Sequence, residues 1–250
     1  MVNEYGATLR VGQYDAVVVD SPHSEIHRQI ANGWSRAAVF GASDGLVTNM
    51  SLILGFAGAN PGHTVVRLAG LAGLAAGAFS MATGEYLSMK SQKELFEREI
   101  DVERRSIAAF PEQERAELLE IFLNRGIEPD LAERMSVEFM KDPEIALRTH
   151  TREELGIDPL AVGSPIQAAL WSLVTCALGA LIPLLPWLLT SSGNELVWSM
   201  CLGAVGSFAM GATVGGFTQR GVIRGGLRQL ILTAVAASVT YGVGRAVGVK

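Results

Sequence analysis

Apolar residues in this chain are gathered into long runs instead of recurring at a helical or strand period. Ala37 to Ala59 contains one charged residue, Asp44, and Leu68 to Met89 contains one, Glu85. Ala161 to Thr190 and Leu196 to Gln219 contain none. A hydrocarbon core about 30 Å thick requires roughly 20 apolar residues in a helix, and each of these runs meets that length. A fifth run, Leu227 to Val249, meets it when Arg228 and Arg245 extend their head groups to the interfaces. A soluble all-helical protein would have to wrap five such helices in a polar shell that 250 residues cannot supply. The pattern predicts an all-α integral membrane protein with five transmembrane helices.

The pattern changes between the second and third runs. Ser88 to Ile107 continues the second span as a charged helix with no Gly or Pro to stop it. Beyond it, Pro111 suits a helix start and Gly126 a stop. Asp130 and Asp142 are expected N-caps, the latter followed by Pro143, and Gly156 ends the last helix. Leu118, Ile121, Phe122, Leu131, Met135, Phe139 and Met140 give these helices apolar faces to pack together. The expected organisation is an N-terminal segment over residues 1–30, spans one and two over 31–89, a helical insert over 90–160, and spans three to five over 161–250.

Charge sharpens this division. Lys90 to Asp158 holds 18 Asp and Glu against 11 Lys and Arg, while the rest of the chain has 7 acids and 9 bases. All the net negative charge therefore sits in the insert. Lys and Arg near span ends concentrate on the cytosolic side. Arg28, Arg36, Lys90, Lys93, Arg220, Arg224 and Arg228 fall on one face, against Arg67, Arg245 and Lys250 on the other. The N-terminus and the acidic insert are accordingly expected in the cytosol. The first two dozen residues, with acids and only a short Val17-Val18-Val19 run, do not read as a signal peptide. Cys176 and Cys201 lie in separate spans with no pairing pattern.

An ionisable residue inside a span is costly and by default faces the protein interior or a watery path. Asp44 and Glu85 are the two here. Asp44 lies eight residues past Arg36 and Glu85 five before Lys90. On antiparallel helices their depths would differ by about 5 Å, so they are expected to be able to face each other. Met81, Glu85 and Met89 recur at i, i+4 and i+8, placing two thioethers and a carboxylate on one helical face. Such a donor set suits a borderline divalent metal, whereas Mg²⁺ or Ca²⁺ prefers oxygen alone. Packing is the competing role for the two methionines. Pro183 and Pro186 in the third span are expected to kink it against its neighbours. Ala72, Ala76, Ser80 and Gly84 form a strip of small residues along the second span that would admit another helix closely.

The insert offers more pairs at ligand spacing: Glu99 with Glu103, Glu114 with Glu117, and His150 with Glu154. Spacing alone leaves these open to a second reading as solvated ion pairs with Arg98, Arg104, Arg105, Arg115 and Arg152. Other chemistries are disfavoured. The chain has no GxxxxGK[ST] motif, its four histidines lie outside the spans, and it has no Glu-x-x-His pair. An enzyme is not expected, nor a resident cofactor, nor a nucleic-acid partner.

Several segments resemble the vacuolar iron transporter family. They are Gly41-Ala42-Ser43-Asp44-Gly45-Leu46, Ala76 to Met81 with Gly84-Glu85-Tyr86, the Glu-rich insert ending Glu154-Leu155-Gly156, and Ala180 to Pro186 in the third span. The resemblance covers roughly residues 25 to 250, leaving out the first two dozen. It implies a homodimer with five spans per subunit, a metal path between subunits lined by the first span, and export of Fe²⁺ from the cytosol coupled to protons. It also implies that the insert binds metal through Glu103, Glu114, Glu117 and Glu154. Ser106 stands where some members have a further glutamate, for which Glu99 would substitute one turn back. His150 and Thr151 stand where plant-type members have a methionine pair. Gly73 replaces a second-span glutamate of those members, and Glu85 appears instead, as in the bacterial and yeast-like branch.

The metal-binding set read from the sequence is thus Asp44, Met81, Glu85, Met89, Glu99, Glu103, Glu114, Glu117, His150 and Glu154. Carboxylates, thioethers and one imidazole accept Fe²⁺, Mn²⁺, Co²⁺ and Zn²⁺ alike. Two functions fit: a secondary transporter exporting Fe²⁺ or Mn²⁺ by proton antiport, or a membrane-anchored metal sensor or scaffold without flux. The expected partners are divalent metals, protons, membrane lipid and a second copy of the chain. The expected location is the plasma membrane of a bacterium or the vacuolar membrane of a eukaryote.

Overall fold

A computed structural model describes residues 33–156 and 163–248. Its described residues form eight α-helices and no strand. In chain order they are α1 (Gly33–Ala59), α2 (His63–Ala109), α3 (Pro111–Asn124), α4 (Pro129–Phe139), α5 (Pro143–Glu153), α6 (Pro165–Leu189), α7 (Glu195–Phe217) and α8 (Val222–Val247). Helices α1, α2, α6, α7 and α8 are long and apolar enough to cross a membrane. The expected N-terminal segment, and the residues flanking Asp158, lie outside the described residues.

Helix α2 runs unbroken for 47 residues, about 70 Å. Its four glycines all fall before Tyr86, and the charged half that follows contains neither Gly nor Pro, so nothing interrupts the ladder where the apolar run ends. The first part, to about Met89, is the span; the remainder is a stalk.

Helix α1 is the centre of the bundle, packing against α6, α8, α2 and α7. Its closest approaches occur where side chains are missing. A Cβ on Gly45 would lie 2.0 Å from the Cys176 carbonyl oxygen, and one on Gly179 would lie 2.1 Å from that of Ala42. These two contacts lock α1 to α6. Gly211 and Gly225 do the same between α7 and α8. The strip expected to admit a close neighbour, Ala72, Ala76, Ser80 and Gly84, is exposed on the outside of the bundle. Ile53, Val66, Leu184 and Trp187 form the apolar core near the end of the bundle remote from the insert, and Met50, Leu54 and Ala237 tie α1 to α8. Phe79, Leu189, Val205 and Ile223 are exposed, as a surface solvated by lipid allows.

Helix α6 continues through Pro183 and Pro186 as one helix. Ser199 of α7 donates to the Pro183 carbonyl and accepts from Trp187 Nε1 at 2.9 Å, so α7 supplies polar partners beside the prolines.

The insert has its own core. Leu118, Phe122 and Ala132 join α3 to α4, and Ile107, Ala146 and Leu147 clamp α5 onto the stalk. Pro111 begins α3, and Asp142 caps α5 by accepting from the Glu144 and Ile145 amides. The cap of α4 is Glu128 and not Asp130: Pro129 occupies the first helical position, which moves the cap to the residue before it, and Glu128 accepts from Leu131 N at 3.1 Å. Gly126 and Gly156 have φ of 82° and 65°, left-handed conformations that stop the helices before them.

Candidate metal centre

Three helices of the insert converge on one imidazole. The clamp of Ile107 against Ala146 and Leu147 fixes α5 beside the stalk, and one turn along each helix brings His150 to Glu103. His150 is fully buried, with Nδ1 3.3 Å from Glu103 Oε1, 3.6 Å from Glu114 Oε2 and 3.9 Å from Glu154 Oε2. Donor atoms of Glu103, His150 and Glu154 all lie within 4.8 Å of one another. Glu103 and Glu114 are buried, and Glu154, the C-cap of α5, opens the cluster to solvent.

This concentration of negative charge has an energetic signature. Burial, and then the charges of Glu114 and Glu154, push the Glu103 carboxyl from its ordinary 4.5 up to about 7. The Glu117 carboxyl is also raised, first by burial and then by Glu114 and Glu154. Ser106 donates to Glu114 Oε1 and leaves Oε2 turned toward His150. Glu103 Oε1, Glu114 Oε2 and both ring nitrogens of His150 are buried without a hydrogen-bond partner. Buried polar atoms are almost always satisfied, so these converging unpartnered atoms make this cluster the candidate position for a cation. Carboxylate oxygens with one imidazole nitrogen suit Fe²⁺, Mn²⁺, Co²⁺ or Zn²⁺.

Arg104, Arg105 and Arg115 are engaged away from the cluster. Arg115 pairs with Glu112 at 3.3 Å and Glu133 at 2.7 Å, and Arg104 and Arg105 pair with Asp101. Glu99, one turn from Glu103, is half-buried and joins none of these contacts.

The spans arrange their candidates differently from the expectation. Gly70 sits against Ile53 and Gly73 against Asn49 and Leu52, which fixes the antiparallel register of α1 and α2. Extended along both helices, that register sets Asp44 level with about Phe79 and Glu85 with about Ala37, roughly 9 Å apart in depth. The two carboxylates therefore do not face each other. Glu85 instead pairs with Arg36 at 3.4 Å, near the end of the span. Met81 is half-buried close to the level of Asp44. Met89 is buried between Ala37 and Ala168, in apolar packing. Asp44 itself is exposed on the outer surface of the helical bundle.

Two polar features of the spans were not foreseen. Asn49 is buried and donates to the Ala180 carbonyl at 2.7 Å, while its Oδ1 has no partner. Gln229 of α8 donates to Ser43, the neighbour of Asp44, at 2.7 Å. Their only signal in the sequence is an amide inside an apolar run.

The fold and these sites define a multi-pass, all-α membrane protein that carries a carboxylate and imidazole cluster on a helical stalk. Residues 35–245 match the family model described as VIT family. Vacuolar iron transporter 1 of Oryza sativa subsp. japonica is 32% identical over 235 residues, covering 93% of each chain. Vacuolar iron transporter 1 of Arabidopsis thaliana is 33% identical over 207 residues, 82% of this chain and 83% of that one. The vacuolar iron transporter of Acanthamoeba castellanii is 34% identical over 222 residues, 85% and 78% of the two. The chain belongs to the VIT family.

Proposed function

We propose that this protein exports Fe²⁺, with Mn²⁺ as a second cargo, from the cytosol in exchange for protons, and that it works as a homodimer. The observation that carries the reading is the cluster of Glu103, Glu114, His150 and Glu154, with its unpartnered buried polar atoms, on a stalk continuous with the second span. Relatives named as iron transporters support the cargo. The excess of Lys and Arg on the face that bears the insert supports a cytosolic N-terminus and insert, and hence outward movement.

Asp44 supports the dimer. A carboxylate deep in a span is not stable against lipid and requires a polar path or a protein partner. Phe40, Asp44 and Thr48 share the outward face of α1. A second copy applied to this face encloses two Asp44 carboxylates in a path between subunits, with Met81 nearby as a soft donor. Carboxylate ligands must be deprotonated to bind metal, so entry of a cation at Asp44 releases a proton and departure takes one up. A eukaryotic source would make this a loading route for the vacuole, and a bacterial one an exit through the plasma membrane.

The test is flux in proteoliposomes with Fe²⁺, Mn²⁺, Co²⁺ and Zn²⁺ side by side, with a pH-sensitive dye in the lumen. The expected result is uptake of Fe²⁺ and Mn²⁺ accompanied by proton movement the other way. Metal binding without flux would replace this reading with that of a sensor or scaffold.

A further inference from the structure

Hydroxyls on these helices commonly donate back along their own helix. Thr83, Thr149, Thr175, Thr213 and Thr240 each give their proton to the carbonyl one turn earlier. Ser106, near the end of α2, instead donates across a helix joint to Glu114 Oε1 of α3. The joint itself brings the two together. Phe110 closes α2 by donating its amide to the Ser106 carbonyl at 2.8 Å, and opens α3 by accepting from the Glu114 amide at 3.1 Å. The end of the stalk therefore lies beside the first turn of α3.

This contact divides the two oxygens of one buried carboxylate. Glu114 Oε1 is held by Ser106, whereas Oε2 has no hydrogen-bond partner and lies 3.6 Å from His150 Nδ1. Ser106 follows Glu103 by three residues, so α2 presents a carboxylate and a hydroxyl on one face. A simple tie between α2 and α3 would account for Oε1 alone. It would not account for a second oxygen left buried and bare at the centre of the cluster, which is costly without a partner.

We propose that Ser106 is a positioning residue that sets the metal specificity of the centre: by holding Glu114 Oε1 it confines this carboxylate to one-oxygen ligation through Oε2, favouring first-row divalent metals over Ca²⁺. The proposal rests on the reading of the cluster as a cation site. Ca²⁺ collects six to eight oxygens and often takes both oxygens of a carboxylate, whereas first-row metals accept fewer donors and an imidazole among them. A Glu114 with one oxygen engaged offers Ca²⁺ too few ligands. The hydroxyl thus acts as the outer partner that orients a ligand, a role that elsewhere is worth about 10- to 100-fold in metal affinity.

The test titrates full-length protein in neutral detergent with Co²⁺ and with Ca²⁺, and records the visible bands of bound Co²⁺. Ser106→Ala, a change that suits a helix, should weaken Co²⁺ by about tenfold while Ca²⁺ is not weakened, so the Co²⁺/Ca²⁺ affinity ratio falls by about that factor. The Co²⁺ bands should lose intensity as Glu114 swings to two-oxygen ligation and the coordination number rises. Ser106→Thr, which keeps the hydroxyl, should restore both the ratio and the bands. In a Glu114→Ala background Ser106→Ala should cost nothing more, because the hydroxyl acts through Glu114. Equal weakening of Co²⁺ and Ca²⁺, or the same loss with and without Glu114, would reduce Ser106 to a structural tie and overturn the proposal. So would an unchanged Co²⁺ affinity in Ser106→Ala. Glu103→Gln with Glu114→Gln tells the two levels apart: if that pair leaves Co²⁺ affinity intact, the cluster is not the cation site and the reading beneath the proposal falls with it; if it weakens Co²⁺ and Ser106→Ala does not, the role of Ser106 alone is lost.

Discussion

His150 of α5 presents Nδ1 at 3.3 Å from Glu103 Oε1 of the α2 stalk, and neither atom has a hydrogen-bond partner in the buried space they share. Two side chains 47 positions apart in the sequence are thereby aimed at a common point, with Glu114 and Glu154 around it. The contact makes the stalk part of the candidate metal centre as well as its support.

Metal binding at this centre should depend on pH with a definite sign. Glu103 is raised to about 7 and must lose its proton to act as a ligand. Affinity of the full-length protein for Mn²⁺ should rise about tenfold between roughly pH 6 and pH 8, with proton release detectable by calorimetry in buffers of different ionisation enthalpy. The metal-free insert should respond in the opposite direction. A carboxyl whose folded pKa is raised contributes stability fully below its ordinary 4.5, and that contribution is lost as pH rises through about 7. The metal-free insert should thus soften on the alkaline side, and added metal should restore it.

Removing ligands separates the centre from its surroundings. Glu103→Gln together with Glu114→Gln should weaken Mn²⁺ binding to the insert by at least about tenfold. Glu99→Gln should leave it unchanged, because Glu99 contacts none of the cluster. Equal effects from the two changes, read by calorimetry on full-length protein, would return these carboxylates to a general acidic surface.

Much of this architecture was legible before the coordinates. Five uncharged or nearly uncharged runs can only be spans, and the unbroken charged continuation after Met89 could only prolong α2. His150 with Glu154, and Glu103 on the stalk, could be paired by helical spacing. That spacing could not exclude Glu99, because which turn of the stalk meets α5 is decided by Ile107 packing on Ala146 and Leu147. The depth of Asp44 relative to Glu85 was misjudged for a similar reason. Counting from Arg36 and Lys90 assumes that both cations mark one plane, whereas Arg36 reaches along the helix to pair with Glu85 and the glycines at 70 and 73 set the register. Asn49 and Gln229 escaped notice because a single amide barely changes the hydropathy of a span.

Met89 and Met81 should behave differently on substitution. Met89 fills space between Ala37 and Ala168, so Met89→Leu should keep transport and shift stability by less than about 1.5 kcal/mol. Met81→Leu removes a donor near the level of Asp44 and should slow transport at unchanged expression. Flux rates of the two variants in matched proteoliposomes check this.

The contact between α1 and α6 should tolerate no added methyl group. Gly45→Ala would drive a Cβ to 2.0 Å from the Cys176 carbonyl, a backbone atom that cannot turn aside. A lower thermal midpoint and loss of monodisperse protein in detergent are expected. Gly77→Ala, with nothing within 4 Å of its new Cβ, should leave the midpoint unaffected.

Asp44→Asn examines the proposed path itself, since it keeps size and removes the charge. Fe²⁺ uptake and the accompanying proton movement should both fall to the level of empty liposomes, while metal binding at the Glu103 and His150 centre stays at wild-type affinity. Uptake persisting in Asp44→Asn at the wild-type rate would contradict passage of the metal along α1.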